Sequence, residues 1–220
     1  LVYEALGDFE NAVKYIHQAL EEVNKGDKSE EVPGIYGNAG SIYANIGDLE
    51  NAESYQLKAL KLAEEIYRND HPQIATLCEN LGVTISMNGE HMKALEFYDK
   101  ALKIKRLNYP EDSPTFILTY GNIGSVLVTL GKYQTALDTM MKATKLIDTY
   151  TGNPNIVSKL YSSIGLAYHR INNLDDAEKY YKKSIDVILK HQGVESPNLF
   201  NPYNNIAVFF ENIGRYEESI

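Results

Sequence analysis

Asn38, Asn80, Asn122, Ser163 and Asn205 follow one another at intervals of 42, 42, 41 and 42 residues. A carboxamide is both donor and acceptor, the hydrogen-bond chemistry that can read a peptide main chain. The other reactive residue types form no such series. His17, His71, His91, His169 and His191 are scattered, with no HExxH pair and no histidine and cysteine spacing suited to zinc, so no metal site is expected. Neither a Walker A sequence nor a dinucleotide glycine pattern occurs, and no cofactor is expected. Cys78 stands in an apolar register, where a small core hydrophobe is expected rather than a nucleophile. The carboxylates scatter over exposed helix faces and links, and no catalytic set emerges.

The asparagine interval belongs to the whole chain. With Gly47 as a zero mark, equivalent marks fall at Gly7, Gly89, Gly131, Asn172 and Gly214, in steps of 40, 42, 42, 41 and 42 residues. Five marks are preceded by apolar or aromatic residues at minus 11, minus 8 and minus 4: Tyr36, Ala39, Tyr43; Cys78, Leu81, Ile85; Tyr120, Ile123, Leu127; Tyr161, Ile164, Tyr168; Tyr203, Ile206, Phe210. A small residue stands at minus 7 (Gly40, Gly82, Gly124, Gly165, Ala207). This is the stripe of an amphipathic helix, helix A. Alanine at plus 5 (Ala12, Ala52, Ala94, Ala136, Ala177) and alanine or serine at plus 12 (Ala19, Ala59, Ala101, Ala143, Ser184) define a second, helix B. The mark reverses the chain between them in a left-handed conformation. Small residues at minus 7 and plus 5 allow the two backbones to approach.

Prolines at 33, 72, 114, 154 and 197 suit the first turn of each helix A. The spacing predicts a first helix B over 9–23, followed by the polar link NKGDKSEEVPG. It then predicts pairs over 33–46 with 49–68, 72–88 with 91–107, 114–130 with 133–150, 154–171 with 174–191, and 197–213 with a truncated partner. No segment reads as a strand.

These residues resemble the tetratricopeptide repeat. The family's tryptophan, leucine, glycine, tyrosine, glycine, tyrosine, alanine and phenylalanine pattern falls on Tyr120, Ile123, Gly124, Leu127, Gly131, Tyr133, Ala136 and Met140. In another copy it falls on Cys78, Leu81, Gly82, Ile85, Gly89, His91, Ala94 and Tyr98. The 42-residue unit is longer than the usual 34, and NDHPQIATLCENLG is similar to the linker and helix start of kinesin light chains. The resemblance implies an all-α, right-handed solenoid of antiparallel helix pairs. It spans 1–220 as one array of about five repeats, truncated at both ends.

Minus 9, the asparagine position, points away from the apolar stripe. It shares its face with minus 13, minus 6 and minus 2. Those positions hold Gly34, Ser41 and Asn45; Thr76, Val83 and Met87; Leu118, Ser125 and Thr129; Lys159, Leu166 and Arg170; Asn201, Val208 and Asn212. In the family the A helices line a concave groove, so the resemblance implies that Asn38, Asn80, Asn122, Ser163 and Asn205 form a ladder along it. Such a ladder could hold the main chain of an extended peptide. The alternatives are bonds between adjacent A helices, or descent from one duplicated unit. Some members grip a terminal carboxylate on this face. Lys159 matches that pattern but Ser163 does not, so an internal peptide segment is the expected ligand.

With 21 Lys plus Arg against 30 Asp plus Glu, the net charge of −9 opposes nucleic-acid binding. No apolar run is long enough to span a membrane. A single cysteine fits a reducing compartment, and the cytoplasm is the expected location. The chain begins late in a helix A and stops early in a helix B, which predicts an internal piece of a longer protein. Uncapped ends of that kind favour end-to-end self-association. The expectation is a non-enzymatic scaffold or adaptor that binds a protein or peptide. The alternative is the sensory or regulatory arm of a larger protease or kinase.

Overall fold

The computed structural model describes residues 9–24 and 29–218. The mark at Gly7 and residues 25–28 of the first link lie outside them. Among the described residues there are ten α-helices and no strand. They are α1 Phe9–Asn24, α2 Val32–Asn45, α3 Leu49–Ile66, α4 Pro72–Met87, α5 His91–Asn108, α6 Phe116–Thr129, α7 Tyr133–Thr144, α8 Pro154–Arg170, α9 Leu174–Gln192 and α10 Phe200–Asn212. The fold is an all-α solenoid in which α2, α4, α6, α8 and α10 are the A helices. The chain divides into two compact units, Leu1–Pro110 and Glu111–Ile220. In the first, α2 packs on α3 and α4 on α5. In the second, α6 packs on α7 and α8 on α9.

All five described marks, Gly47, Gly89, Gly131, Asn172 and Gly214, have φ between 62° and 87°. Asn172 is the non-glycine among them, consistent with asparagine's tolerance of that region. Each mark sits in the same hydrogen-bonded stop, in which the next N–H donates to the minus 4 carbonyl. The pairs are Asp48 to Tyr43 (3.0 Å), Glu90 to Ile85 (3.1 Å), Lys132 to Leu127 (2.9 Å), Asn173 to Tyr168 (2.9 Å) and Arg215 to Phe210 (2.9 Å). This six-to-one closure satisfies carbonyls that the helix end leaves free.

The plus 5 alanines Ala52, Ala94, Ala136 and Ala177 are fully buried. The minus 7 glycines serve a more specific purpose than general helix approach. A Cβ on Gly82 would lie 2.7 Å from the Tyr98 ring and one on Gly165 3.0 Å from Tyr181, while Gly124 lies under Met140 and Gly40 under Gln56. In each pair the glycine makes room for the plus 9 side chain of its own helix B. Across the same seam the plus 11 lysine covers the minus 11 tyrosine. Lys58 lies 4.1 Å from the Tyr36 ring centre, Lys142 6.0 Å from Tyr120 and Lys183 5.5 Å from Tyr161. A lysine stem shields the ring while its ammonium stays near water.

Three expectations change. Pro33, Pro72 and Pro154 open α-helices. Pro114 instead lies in a turn ahead of α6, where the Ile117 N–H donates to its carbonyl (3.1 Å). Pro197 begins a 3-10 turn, Pro197–Leu199, before α10. The helix expected over 133–150 stops at Thr144 and resumes as a 3-10 turn, Ile147–Thr149. There the Thr144 hydroxyl donates to the Met141 carbonyl (2.9 Å) and that of Thr149 to Leu146 (3.1 Å), competing with the α-helical ladder. Finally, Glu79 does not lie on a solvated face. It is buried on α4 and accepts from Lys105 of α5 at 2.7 Å.

Candidate functional site

The A helices are nearly free of charge. α2 and α6 carry no ionisable acid or base besides tyrosine, α4 has the buried Glu79, and α10 has Glu211. α8 alone adds Lys159, His169 and Arg170. The charges of this acidic chain therefore sit mainly on its B helices and links.

The sequence-predicted face is open along each A helix. Asn45, Thr76, Met87, Leu118, Thr129, Lys159, Arg170, Asn201, Val208 and Asn212 are exposed. Asn38, Ser41, Asn80, Val83, Ser125, Ser163, Leu166 and Asn205 are half-buried. Asn122 departs from the expectation that the asparagine position lies clear of the core. It is only 8% exposed, and its amide nitrogen has no hydrogen-bond partner. Asn38, Asn80 and Asn205, by contrast, keep contact with water.

Ser125 of α6 and Ser163 of α8 are hydrogen-bonded across the face, with the hydroxyl oxygens 3.0 Å apart. Ser125 also donates to the Gly121 carbonyl at 3.0 Å, so Ser163 supplies the proton between the two serines. Among the described residues, the carboxamides of Asn38, Asn80, Asn122 and Asn205 make no such bond.

In the second unit the face deepens into two adjoining cavities between α8 and α10. One, of about 400 Å³, is lined by Asn155, Ser158, Lys159, Asn198, Asn201 and Asn205 among others. The other, of about 340 Å³, is lined by Lys159, Ser163, Leu166, His169, Arg170, Asn204, Asn205, Val208, Phe209 and Asn212 among others. Eight predicted residues come together here: Lys159, Ser163, Leu166, Arg170, Asn201, Asn205, Val208 and Asn212. No aspartate or glutamate lines either cavity. Sequence reasoning missed Asn155, Ser162, His169, Asn198, Asn204 and Phe209. Ser162 and Asn204, at minus 10, and His169, at minus 3, border the expected stripe, and a wider helical sector would have included them.

The His169 ring meets Phe209 edge-on, 5.2 Å between centres. Burial, and after it the Arg170 charge, holds the imidazole below the usual histidine range, so it is neutral near pH 7. In the first unit burial pushes the Cys78 thiol up to about 11, which suppresses the thiolate. Among the described residues no group of three or more His, Cys, Asp or Glu could hold a metal ion. No helix there is long and apolar enough to cross a membrane.

The tetratricopeptide repeat pattern matches residues 31–107, 75–149 and 115–190, and a second pattern of the same family matches 1–31. The chain belongs to the tetratricopeptide repeat family. Among solved structures it is similar to BtubC (BKLC) from P. vanneervenii, with 21% identity over 96% of this chain and 86% of that one and a TM-score of 0.75. It is similar to the apo form of RapI, with 15% identity over 99% and 90% and a TM-score of 0.73. Nearly identical kinesin-light-chain TPR-like repeats from Podosopora anserina align with 14% identity over 87% and 92% and a TM-score of 0.67. These likenesses establish the fold. No curated protein sequence matches the chain. Tetratricopeptide arrays present extended binding surfaces built from successive repeats, and the fold is that of a protein-interaction scaffold.

Proposed function

We propose that this chain is a non-catalytic adaptor segment that holds an extended stretch of a partner protein along the A-helix face. The observation that carries this reading is the set of carboxamides at Asn38 and Asn80 in the first unit and at Asn205 in the second. They are half-exposed, unbonded to neighbouring helices, and set in a face almost without charge. An uncharged amide face suits a ligand read through its main chain, because each amide can both donate to a carbonyl and accept from an N–H. The α8–α10 cavities would take side chains of the bound segment.

The test is a titration of the captured partner against wild type and an Asn80→Ala, Asn205→Ala double variant. At about 1 kcal/mol per amide, binding weakens by roughly 30-fold. Equal affinities at matched stability would move the binding surface to the B helices.

A further inference from the structure

The stop between α4 and α5 inverts the polarity that the repeat shows elsewhere. In the other four described copies minus 2 is Asn45, Thr129, Arg170 or Asn212, and plus 3 is Glu50, Gln134, Asp175 or Glu217. Around Gly89 these outer positions are Met87 and Met92. The inner positions change the other way. Minus 1 is isoleucine or leucine and plus 2 leucine or tyrosine in those copies, but here they are Asn88 and His91.

The inner pair has a local account. The Asn88 amide donates to the Glu90 carboxylate at 3.3 Å, and the Ser86 hydroxyl lies 3.5 Å from His91 Nδ1. Packing gives no such account of the outer pair, because Met87 is 55% and Met92 59% exposed. The other two of the four methionines are shielded. Met140 is fully buried, and Met141 is half-buried with its sulfur accepting from the Tyr180 hydroxyl at 3.5 Å.

We propose that Met87 and Met92 are sites of reversible oxidation by hydrogen peroxide, a modification that the repeat accommodates at both positions. The sulfur lone pair attacks one peroxide oxygen and the O–O bond breaks. Sulfur keeps that oxygen as a sulfoxide, and the other oxygen leaves as water with both peroxide protons. The thioether is thereby oxidised and the peroxide reduced, one molecule of each. A sulfoxide is polar, so oxidation gives minus 2 and plus 3 the polarity that the other copies carry there. The left-handed stop itself, closed by the Glu90 N–H on the Ile85 carbonyl at 3.1 Å, needs neither thioether. Reversal takes thiol-dependent methionine sulfoxide reductases, one for each sulfur epimer. Met87 also lies on the A-helix face, so its oxidation alters the first unit's share of that face. The modification does not depend on the adaptor reading.

The test treats the whole 220-residue chain with hydrogen peroxide and follows each methionine by peptide mass spectrometry. Met87 and Met92 take up oxygen about tenfold or more faster than Met140 and Met141. The doubly oxidised chain melts within about 2 °C of the untreated one. Methionine sulfoxide reductases A and B with dithiothreitol restore both thioethers. Oxidation shortens retention on a hydrophobic column, and the Met87→Gln, Met92→Gln variant, whose amides imitate the sulfoxide, shows the same shift without oxidant.

Oxidation of Met140 or Met141 at the pace of the outer pair overturns the inference, as does a larger drop in melting temperature. Sulfoxides that persist with both reductases present overturn the reversibility. Unchanged retention in the double glutamine variant shows that the thioethers form no apolar surface, and overturns it too. If the A-helix face later proves to hold no partner, the adaptor reading fails while these results stand.

Discussion

The buried pair of Glu79 and Lys105 offers a sharp test of how the repeats are built. The two side chains are 5% and 9% exposed and 2.7 Å apart, so solvent screens them little. Measured from their mark, Gly89, they stand at minus 10 and plus 16. The same offsets hold Gly37 with Ala63, Gly121 with Ile147, and Ser162 with Ile188 in the other copies. The ion pair is thus a local replacement for a small, mainly apolar contact. Removing one member, as in Lys105→Met or Glu79→Gln, strands a charge and costs about 3–5 kcal/mol. For a chain of this size that lowers Tm by roughly 6–20 °C.

The double variant Glu79→Ser, Lys105→Ile copies the Ser162 and Ile188 pair and recovers most of the loss. Calorimetry, with hydrogen exchange in α4 and α5 to localise the effect, decides the matter. Single variants that melt within about 2 °C of wild type would refute the reasoning, as would a double variant no better than the worse single.

Gln56 is 1% exposed with an unpaired side-chain carbonyl, at the plus 9 position that Tyr98, Met140 and Tyr181 occupy elsewhere. Gln56→Met keeps the volume and removes the orphan, so urea unfolding should show about 1–3 kcal/mol of added stability. Asn172 at φ 62° should gain several tenths of a kcal/mol as Asn172→Gly and lose about 1 kcal/mol as Asn172→Ala in the same assay. Gly124→Ala would push its new methyl into Met140, and a cost of about 1–3 kcal/mol is expected. Pairing it with Met140→Ala should restore part of that loss in a double-mutant cycle.

Much of this fold can be read from residue types at fixed offsets. The left-handed stops at Gly47, Gly89, Gly131, Asn172 and Gly214 are visible because one backbone geometry is required at each and few residues supply it. The buried alanines at plus 5 are visible for a similar steric reason. What the period conceals is whatever belongs to a single copy. Averaging over repeats hides Glu79 among the glycines and serine at its offset, and Gln56 among aromatic residues and methionine. The break after Thr144 depends on two threonine hydroxyls that turn back on the backbone, a local competition that apolar spacing does not report. The amide series was visible as a spacing, but the burial of Asn122 within it was not. The α8–α10 cleft was less visible, because Ser162, His169 and Asn204 join it from the border of the stripe and Phe209 from the opposing helix.

The central claim is that partner binding occurs on the A-helix face. It is tested most directly by cysteine footprinting in a Cys78→Ala background, with single reporters Asn38→Cys, Asn80→Cys and Asn205→Cys on A helices and Lys61→Cys, Lys103→Cys and Lys182→Cys on B helices. Bound partner should slow alkylation of the first three by tenfold or more and leave the last three unchanged. Protection of the B-helix reporters with the A-helix reporters still reactive would contradict the account.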